Sequence, residues 1–311
     1  MRAALLRWYR AHRRELPWRK TRDPYAIWVS EIMLQQTRVA AVIEYYERFL
    51  RLFPTVAALA AAREENVVAA WSGLGYYRRA RSLHAAARKI VDAFDGKVPA
   101  TSVALRDLPG VGRYTSAAIA SIAYDEPIAV VDGNVERVLH RLDGIERSGE
   151  LVWARAQELL APKTAGDWNQ AMMELGATIC TPATPACEAC PVQKWCKLPG
   201  HDIRKAQPAR IKKELIFGMA IRKDRVYLRQ RGKAESLMAS MWELPAVETS
   251  EGVDVLARMK HSITNSDYTI VVVALDGRAV PKGGKWVRVA DLSQVALTGI
   301  ARKALRKAGV L

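Results

Sequence analysis

Two acidic residues have surroundings that could give them a chemical role. Glu31 lies inside the apolar stretch WVSEIMLQQT (28–37), which predicts a helix with Ile27 one turn before the carboxyl and Leu34 about one turn after it. A carboxyl on such a face loses solvation, so its pKa should rise, as a general acid requires. Asp132 follows the apolar IAVV at the head of another predicted helix, a position where Asp caps well and stays ionised.

The cysteines of the chain fall in one segment, CTPATPACEACPVQKWC, as Cys180, Cys187, Cys190 and Cys196. The spacing C-x6-C-x2-C-x5-C contains one C-x2-C pair, whereas zinc sites made of four cysteines usually contain two. Disulfides are not expected, because no secretory signal is recognisable. A compact loop of four thiolates interrupted by three prolines favours a [4Fe-4S] cluster over structural zinc.

Residues 105–124, LRDLPGVGRYTSAAIASIAY, predict a helix, a tight turn and a second helix. Gly110 and Gly112 let the backbone approach a phosphate, and the N–H groups that open the second helix point at it. Alone, such a turn could be structural only. The formal net charge of +16 over 311 residues also favours a polyanionic partner, although a generally basic proteome would give the same excess.

No apolar run approaches the roughly 20 residues that span a bilayer, and arginines interrupt every apolar stretch near the N-terminus. We therefore expect a cytoplasmic protein without a membrane partner. Residues 1–196 predict an almost all-helical domain, in which Asp23-Pro24 starts a helix. A basic linker with prolines follows over 197–213, and an α+β domain over 214–311. In that domain we expect strands at LIFGMAI, RVYLRQR, YTIVVVAL and KWVRVA, a short helix near 253–259 and a last helix at about 298–308.

Several motifs occur together in a recognisable order. They are LPWR (16–19), DPYAIWVSEIMLQQT (23–37), GLGYYRRARSLH (73–84), VDGNV (131–135) and NQAMMELGATIC (169–180). With the hairpin and the cysteine spacing, they resemble the MutY-type adenine DNA glycosylases of the endonuclease III superfamily, from about residue 8 to residue 196. The resemblance implies a helix-hairpin-helix domain whose [4Fe-4S] loop, 180–196, shapes a basic surface for DNA.

The resemblance also implies a reaction of base excision repair, carried out by a monomer associated with the nucleoid. Adenine mispaired with 8-oxoguanine or guanine would be removed from double-stranded DNA by hydrolysis of its N-glycosidic bond, leaving an abasic site. Relatives that also cleave the backbone carry a lysine nucleophile where this chain has Tyr114. Without that amine no Schiff base forms there, so a monofunctional glycosylase is expected.

Roles for individual residues follow from the same resemblance. Glu31 would protonate the adenine and manage the attacking water, and Asp132 would stabilise the positively charged sugar with support from Tyr114 and Asn134. The flipped adenine would be lined by Arg14, Trp18, Val39 and Gln170. The DNA contacts would be the backbone at Gly110 and Gly112 and the side chains of Leu34, Gln36 and Tyr76, inserted around the opposite base.

The C-terminal part, from SLMASMWELPAVET onward, resembles the Nudix-like domain of the same glycosylases. The glutamate cluster of Nudix pyrophosphatases is absent, so a binding module for 8-oxoguanine is expected rather than a second enzyme. The loop that reads the base in the family is often H-x-F-S-H. Here it is HSITN, with Thr264 and Asn265 as the DNA-contacting residues, which retain hydrogen-bonding capacity.

Other interpretations remain open from the sequence. The same scaffold could remove thymine or uracil from a mismatch with guanine, a reaction with which Tyr114 is compatible. A non-catalytic iron-sulfur DNA-binding protein is a second alternative, and a Nudix hydrolase is a third. At the level of single residues, Glu31 could form a buried ion pair with an arginine such as Arg14, and Asp132 could be a helix cap alone.

Overall fold

A computed structural model describes residues 1–145, 148–200, 209–232, 234–235, 238–263, 266–278 and 280–311. The chain forms two compact units. The first contains Met1–Ala61 and Ser82–Lys205, and the second contains Ala62–Arg81 and Ala206–Leu311. No helix of the described part is long and apolar enough to cross a membrane.

The described helices and strands have the following bounds in chain order. The helices are α1 (Arg2–His12), α2 (Pro24–Leu34), α3 (Val39–Leu52), α4 (Val56–Ala61), α5 (Glu64–Trp71), α6 (Arg78–Ala93), α7 (Ser102–Arg106), α8 (Arg113–Tyr124), α9 (Gly133–Asp143), α10 (Glu150–Leu159), α11 (Ala165–Thr178) and α12 (Gly299–Lys307). The strands are β1 (Ile211–Met219), β2 (Ile221–Arg222), β3 (Arg225–Gln230), β4 (Trp242–Glu243), β5 (Val255–Ile263), β6 (Ser266–Ala274) and β7 (Gly284–Arg288).

The first unit is helical in its described residues, and α8 and α11 are central to it. α8 packs against α2, α7 and α11, while α11 also packs against α1 and α9. The middle of α8 is the fully buried run Ala117–Ala120, in which every residue but Ile119 is alanine, so neighbouring helices can come close. Around α11, Trp168 and Leu175 join a core that includes Leu5 and Tyr9 of α1. The α2–α8 and α9–α11 contacts are the ones that position the candidate site.

The start of α2 follows the local rule read from the sequence. The Asp23 side chain accepts hydrogen bonds from the backbone N–H groups of Tyr25 and Ala26, and Pro24 occupies the first helical position. Nearly every residue of α2 is buried, so the helix is held on all sides rather than on one stripe.

The second unit contains two sheets. β6 lies between β1, which is parallel to it, and β5, which is antiparallel to it. In the other sheet β3 pairs antiparallel with β7 on one edge and with β2 and β4 on the other. Buried residues of both sheets and of α12, among them Leu228, Ile270 and Leu305, form one core.

The expected strands of the C-terminal part and its last helix are confirmed as β1, β3, β6, β7 and α12. The short helix expected near 253–259 is wrong, because these residues enter β5. Ala257 and Met259 are buried at the two-residue period of a strand, and β5 pairs with β6 over its length, with a bulge between Val255 and Ala257.

The observed units differ from the predicted domains 1–196 and 214–311 in one segment. Residues 62–81 lie in the second unit, because α5 packs on the turn at Val289–Gln294 and Ser72 hydrogen-bonds to Leu297. The predicted linker 197–213 also overlaps the start of β1 at Ile211. Its residues 201–208 lie outside the described part of the chain.

Candidate active site

Glu31 is a carboxyl group in the interior of the first unit. It lies in the third turn of α2 with 6% of its surface exposed, and no described group donates a hydrogen bond to its Oε2 atom. Burial raises the pKa of Glu31 to about 7; a hydrogen bond from Tyr114 and the charge of Arg19 oppose this rise, and the negative charge of Asp132 adds to it. The general-acid prediction requires a carboxyl that holds its proton near neutral pH, and Glu31 has this property.

Tyr114 lies in the first turn of α8, beside Glu31. Burial raises the pKa of its hydroxyl well above the usual value, and the charges of Glu31 and Asp132 raise it further. The hydroxyl therefore stays protonated, and it also contacts the Met173 sulfur at 3.4 Å. The protonated Tyr114 hydroxyl thus lies within the electrostatic influence of both acidic groups without supplying a negative charge.

Asp132 caps α9, as its position before the glycine predicted. Its Oδ1 accepts from the backbone N–H groups of Asn134 (2.9 Å) and Val135 (2.8 Å), and its Oδ2 accepts from the Asn134 side-chain amide (2.8 Å). Both oxygens act only as acceptors in these bonds, which is the arrangement of a carboxylate at a helix N-terminus. The cap and a charge-stabilising role are compatible, because the cap holds the carboxylate in one orientation.

Asn134 is itself held by a residue that sequence reasoning missed. Arg137, one turn later in α9, donates from Nη2 to Asn134 Oδ1 (2.7 Å) and to the Gly176 carbonyl (2.7 Å), and from Nε to the Cys180 carbonyl (2.8 Å). A side chain at Gly176 would meet Asn134 Cβ at 2.5 Å, so α11 and α9 approach closely there. The carboxylate is therefore tied through two side chains to the start of the cysteine loop.

Glu174 is a second buried acid, also missed from the sequence. Its oxygens accept from Arg14 Nε (2.8 Å), Arg14 Nη2 (2.7 Å) and Arg19 Nη2 (2.8 Å). Burial alone would raise the pKa of Glu174, but the hydrogen bonds from the two arginines outweigh it and lower the pKa to about 2. Arg14 thus pairs with Glu174, and the alternative of an Arg14–Glu31 ion pair is not observed.

The residues expected around the adenine are only partly brought together. Trp18 and Gln170 line one polar cleft of about 90 Å³, together with Arg19, whereas Arg14 and Val39 do not line it. Val39 is half-buried at the first position of α3. A larger cavity of about 720 Å³ opens elsewhere in this unit, between Tyr25 and Phe94, and contains none of the predicted site residues.

The predicted DNA contacts of the first unit lie on turns. Leu34 ends α2, and the exposed Gln36 follows it with a left-handed φ of 55°. In the hairpin, Gly110 has a φ of 77°, and a side chain there would collide with Ser82 Cβ at 2.5 Å. Gly112 precedes α8, and a Cβ on it would point into open space, which leaves its backbone approachable.

The second unit contributes Tyr76, whose side chain is 48% exposed at a φ of 49°. The other two predicted contacts, Thr264 and Asn265, lie outside the described residues.

The cysteine thiols are half-buried and form no disulfide. Arg141 Nη1 donates to the Cys180 sulfur (3.2 Å), and the Gly200 N–H donates to the Cys187 sulfur (3.2 Å). The Cys196 thiol donates to the Arg141 carbonyl (3.3 Å). Burial and the nearby thiols raise the pKa of Cys190. Among the described side chains, no three His, Cys, Asp or Glu converge as ligands of a single ion.

The buried carboxyl gives a stability prediction that is independent of any activity. The folded-state pKa of Glu31, about 7, lies above its ordinary value of 4.5, so its ionisation opposes folding as pH rises between the two. Glu31→Gln removes this pH dependence. We expect the stability of the variant relative to the native chain to grow by about 3 kcal/mol between pH 4.5 and pH 8.

Urea unfolding of both proteins at several pH values, followed by circular dichroism, measures this difference. Glu15→Gln, at an exposed position of the same unit, is the control for exchange of a carboxyl for an amide. A stability difference for Glu31→Gln that does not change with pH would contradict the burial of an ionisable carboxyl.

Comparison with known proteins identifies the family to which the chain belongs. The profile of the HhH-GPD superfamily of base excision DNA repair proteins matches residues 29–162. The solved structure of a thermostable thymine-DNA glycosylase is 32% identical, and the match covers 63% of this chain and 93% of that one, with a TM-score of 0.59. The chain belongs to the HhH-GPD superfamily.

Two further comparisons concern sequence similarity and fold. Adenine DNA glycosylase of Rattus norvegicus is 52% identical over 208 residues, which are 62% of this chain but only 40% of the rat protein. A non-covalent endonuclease III–DNA complex shares the fold at 24% identity, with a TM-score of 0.55 and coverage of 63% of this chain and 93% of that one. The sequence similarity confirms the predicted resemblance to adenine DNA glycosylases of the endonuclease III superfamily.

Proposed function

We propose that this HhH-GPD protein is a monofunctional DNA glycosylase that hydrolyses the N-glycosidic bond of adenine mispaired with 8-oxoguanine or guanine, leaving an abasic site. The observation that carries the proposal is that two carboxyls in unlike surroundings, Glu31 and Asp132, both influence Tyr114 electrostatically. Glu31 is buried with a raised pKa, and Asp132 accepts three hydrogen bonds at a helix start. Similarity to the rat adenine DNA glycosylase supports adenine as the base.

The two carboxyls fit the two needs of the reaction. Adenine leaves poorly unless protonated, and the proton held by Glu31 could pass to its N7 atom. Departure of the base leaves an oxocarbenium-like sugar, which the fixed carboxylate of Asp132 would stabilise. Glu31, now ionised, would accept a proton from the water that attacks the sugar. Asn134 donates a hydrogen bond to the Asp132 carboxylate, and the protonated Tyr114 hydroxyl lies near Glu31 without adding a negative charge.

The target base must leave the helix to reach such a pocket. We assign Trp18 and Gln170, on their shared cleft, to the extruded adenine, and Arg19 joins them. Arg14 does not line this cleft and would affect adenine binding only through its ion pair with Glu174. Val39 would lie at the edge of the adenine site. Leu34 and Gln36 at the end of α2, with Tyr76 of the second unit, would enter the duplex around the opposite base. The backbone at Gly110 and Gly112 would hold a phosphate.

The C-terminal region is proposed as a Nudix-like reader of the base opposite adenine, through Thr264 and Asn265. Double-stranded DNA with A:8-oxoguanine or A:G is the proposed partner. A monomer suffices for these assignments, because all of them lie in one chain. Such a substrate would place the protein in the cytoplasm, on the nucleoid.

We propose a [4Fe-4S] cluster on Cys180, Cys187, Cys190 and Cys196. The residues present are of the kind that holds such a cluster, because four cysteines free of disulfides lie in one short loop. Two of their sulfurs accept hydrogen bonds, from Arg141 Nη1 and the Gly200 N–H. When bound, the cluster would supply structure, holding the loop whose Cys180 carbonyl receives Arg137.

This assignment gives a metal prediction. Protein purified without oxygen should contain about four iron atoms per chain, and Cys190→Ser should lose most of them. Elemental analysis and visible absorbance measure the loss, and the neighbouring Ala189→Ser is the control that should keep its iron. A single zinc atom per chain would overturn the cluster in favour of the structural zinc alternative.

The reaction is tested on a duplex with adenine opposite 8-oxoguanine under single-turnover conditions. Strand breaks that appear only after alkali would support hydrolysis to an abasic site, as Tyr114 in place of the lyase lysine predicts. Breaks without alkali, or a covalent adduct trapped by borohydride, would contradict the monofunctional assignment. A second candidate, removal of thymine from a mismatch with guanine, is favoured by the 32% identity to the thermostable thymine-DNA glycosylase.

A further inference from the structure

The second unit contains a segment from early in the chain. Residues 62–81 hold α5 and the glycine-flanked turn that carries Tyr76, and they belong to one compact unit with the C-terminal sheets. The feature that joins them is the carbonyl of Leu297, just before α12. It accepts from Ser72 Oγ at 2.7 Å and from Tyr77 Oη at 3.3 Å, although Ser72 and Leu297 are 225 residues apart in sequence.

The two donors and the acceptor are in the interior of the unit. Ser72 and Leu297 are fully buried, and Tyr77 is 4% exposed. Arg302 of α12 completes the junction by donating from Nε to Ser72 Oγ at 3.2 Å. Hydrogen bonds that are shielded from water and include a charged donor are among the stronger ones, so this junction fixes the turn firmly.

The other side of the junction is equally well held. Thr298 is fully buried, caps α12 through the Ala301 N–H, and donates to Glu243 at 3.0 Å. Glu243 also pairs with Arg231. The Leu297 carbonyl therefore belongs to a rigid part of the C-terminal fold and not to a loose end.

The turn beyond the junction is arranged to present Tyr76. Gly75 and Tyr76 both adopt left-handed backbone conformations, and the Trp71 indole donates to the Gly75 carbonyl at 3.2 Å. The Arg79 guanidinium lies 5.3 Å from the Trp71 ring centroid and 5.5 Å from that of Tyr76. The Tyr76 side chain is half-exposed, so its position depends on the backbone of the turn. Ser72 and Tyr77 anchor that backbone.

We infer that Ser72 and Arg302 are positioning residues for discrimination of the base opposite adenine, acting through Tyr76. The C-terminal fold would then contribute to specificity in two ways. Thr264 and Asn265 would contact the opposite base, and the junction with Ser72 would hold Tyr76 in position to enter the duplex. This inference rests on the proposed function, in which Tyr76 enters the duplex. It assigns no role in bond cleavage to Ser72 or Arg302, neither of which belongs to the unit that contains Glu31 and Asp132.

The test compares full-length Ser72→Ala and Arg302→Met with the native protein on duplexes with adenine opposite 8-oxoguanine or opposite guanine. Excision is followed against enzyme concentration in single turnover, which separates the saturating rate from the half-saturating concentration. We expect the preference for 8-oxoguanine to fall roughly tenfold in each variant, the equivalent of ~1.4 kcal/mol and the size of one such hydrogen bond. The loss of preference should come from a change in the half-saturating enzyme concentration. The saturating rate on the 8-oxoguanine duplex should change less than about threefold.

Arg306→Met is the matched control, since Arg306 lies one turn later on the same helix and its side chain is exposed. It should keep the native preference. A second readout separates positioning from general damage, because in a Tyr76→Ala background Arg302→Met should cause no further loss of preference. Additive losses in the two backgrounds, or an unchanged preference in both Ser72→Ala and Arg302→Met, would overturn the inference alone. Failure of the native protein to release adenine from either duplex would overturn the proposed function as well.

Discussion

Glu31→Gln is expected to lower the single-turnover rate of adenine excision about 1,000-fold while duplex binding stays within a few-fold of native. Glutamine keeps the size of the side chain but has no proton to give, and proton transfer by a positioned acid contributes roughly 10²–10⁴-fold. Because burial raises the pKa of Glu31 to about 7, the native rate should also fall about tenfold per pH unit above neutrality.

Single-turnover excision from pH 5 to 9, with binding measured by fluorescence anisotropy on the same duplex, checks both parts. Glu15→Gln should retain the native rate and the native profile, because its carboxyl is exposed. A Glu31→Gln protein that excises adenine within tenfold of native would remove Glu31 from the catalytic assignment. Equal loss of binding and of excision would give Glu31 a role in holding DNA and not in proton transfer.

Asp132→Asn is expected to reduce excision by about 10²–10³-fold with little loss of stability, because removing a group that stabilises transition-state charge has effects of this size. Asparagine caps helices about as well as aspartate, so α9 should still begin at Gly133. What the substitution removes is the negative charge opposite the developing positive charge of the sugar.

The chain offers a closely matched control for this change. Asp23 caps α2 through two backbone N–H groups, as Asp132 caps α9, so Asp23→Asn repeats the same chemical exchange away from Asp132. Thermal unfolding should be similar for the two variants, and only Asp132→Asn should lose excision. If both lost excision equally, the role of Asp132 would be reduced to that of a cap.

Local rules were sufficient where one stretch of chain determines the structure. The Asp23 and Asp132 caps and the apolar surroundings of Glu31 all depend on neighbours within a turn or two, and the structure contains them as predicted. The misread segment near 253–259 has a local cause as well. LARMKHSI contains good helix formers, and only pairing with β6 makes its residues a strand.

Long-range pairing explains what sequence reasoning missed at the site. Glu174 is held by Arg14 from 160 residues away, and Arg137 reaches the Cys180 carbonyl 43 residues later. Neither Glu174 nor Arg137 differs in type or spacing from the other charged residues of its own helix. Residues 62–81 carried no sign of their place in the second unit either, because their hydrogen bonds to Leu297 span most of the chain.

The identity of the released base is the most direct test of the central claim, that Glu31 and Asp132 free adenine from mispaired DNA. Iron-loaded protein in excess would be incubated with four duplexes, bearing A opposite 8-oxoguanine, A opposite G, T opposite G, or A opposite T. Free bases would be quantified by mass spectrometry. We expect about one equivalent of adenine from the first two duplexes and none from the others. Thymine from T opposite G, or no base from any duplex, would contradict it.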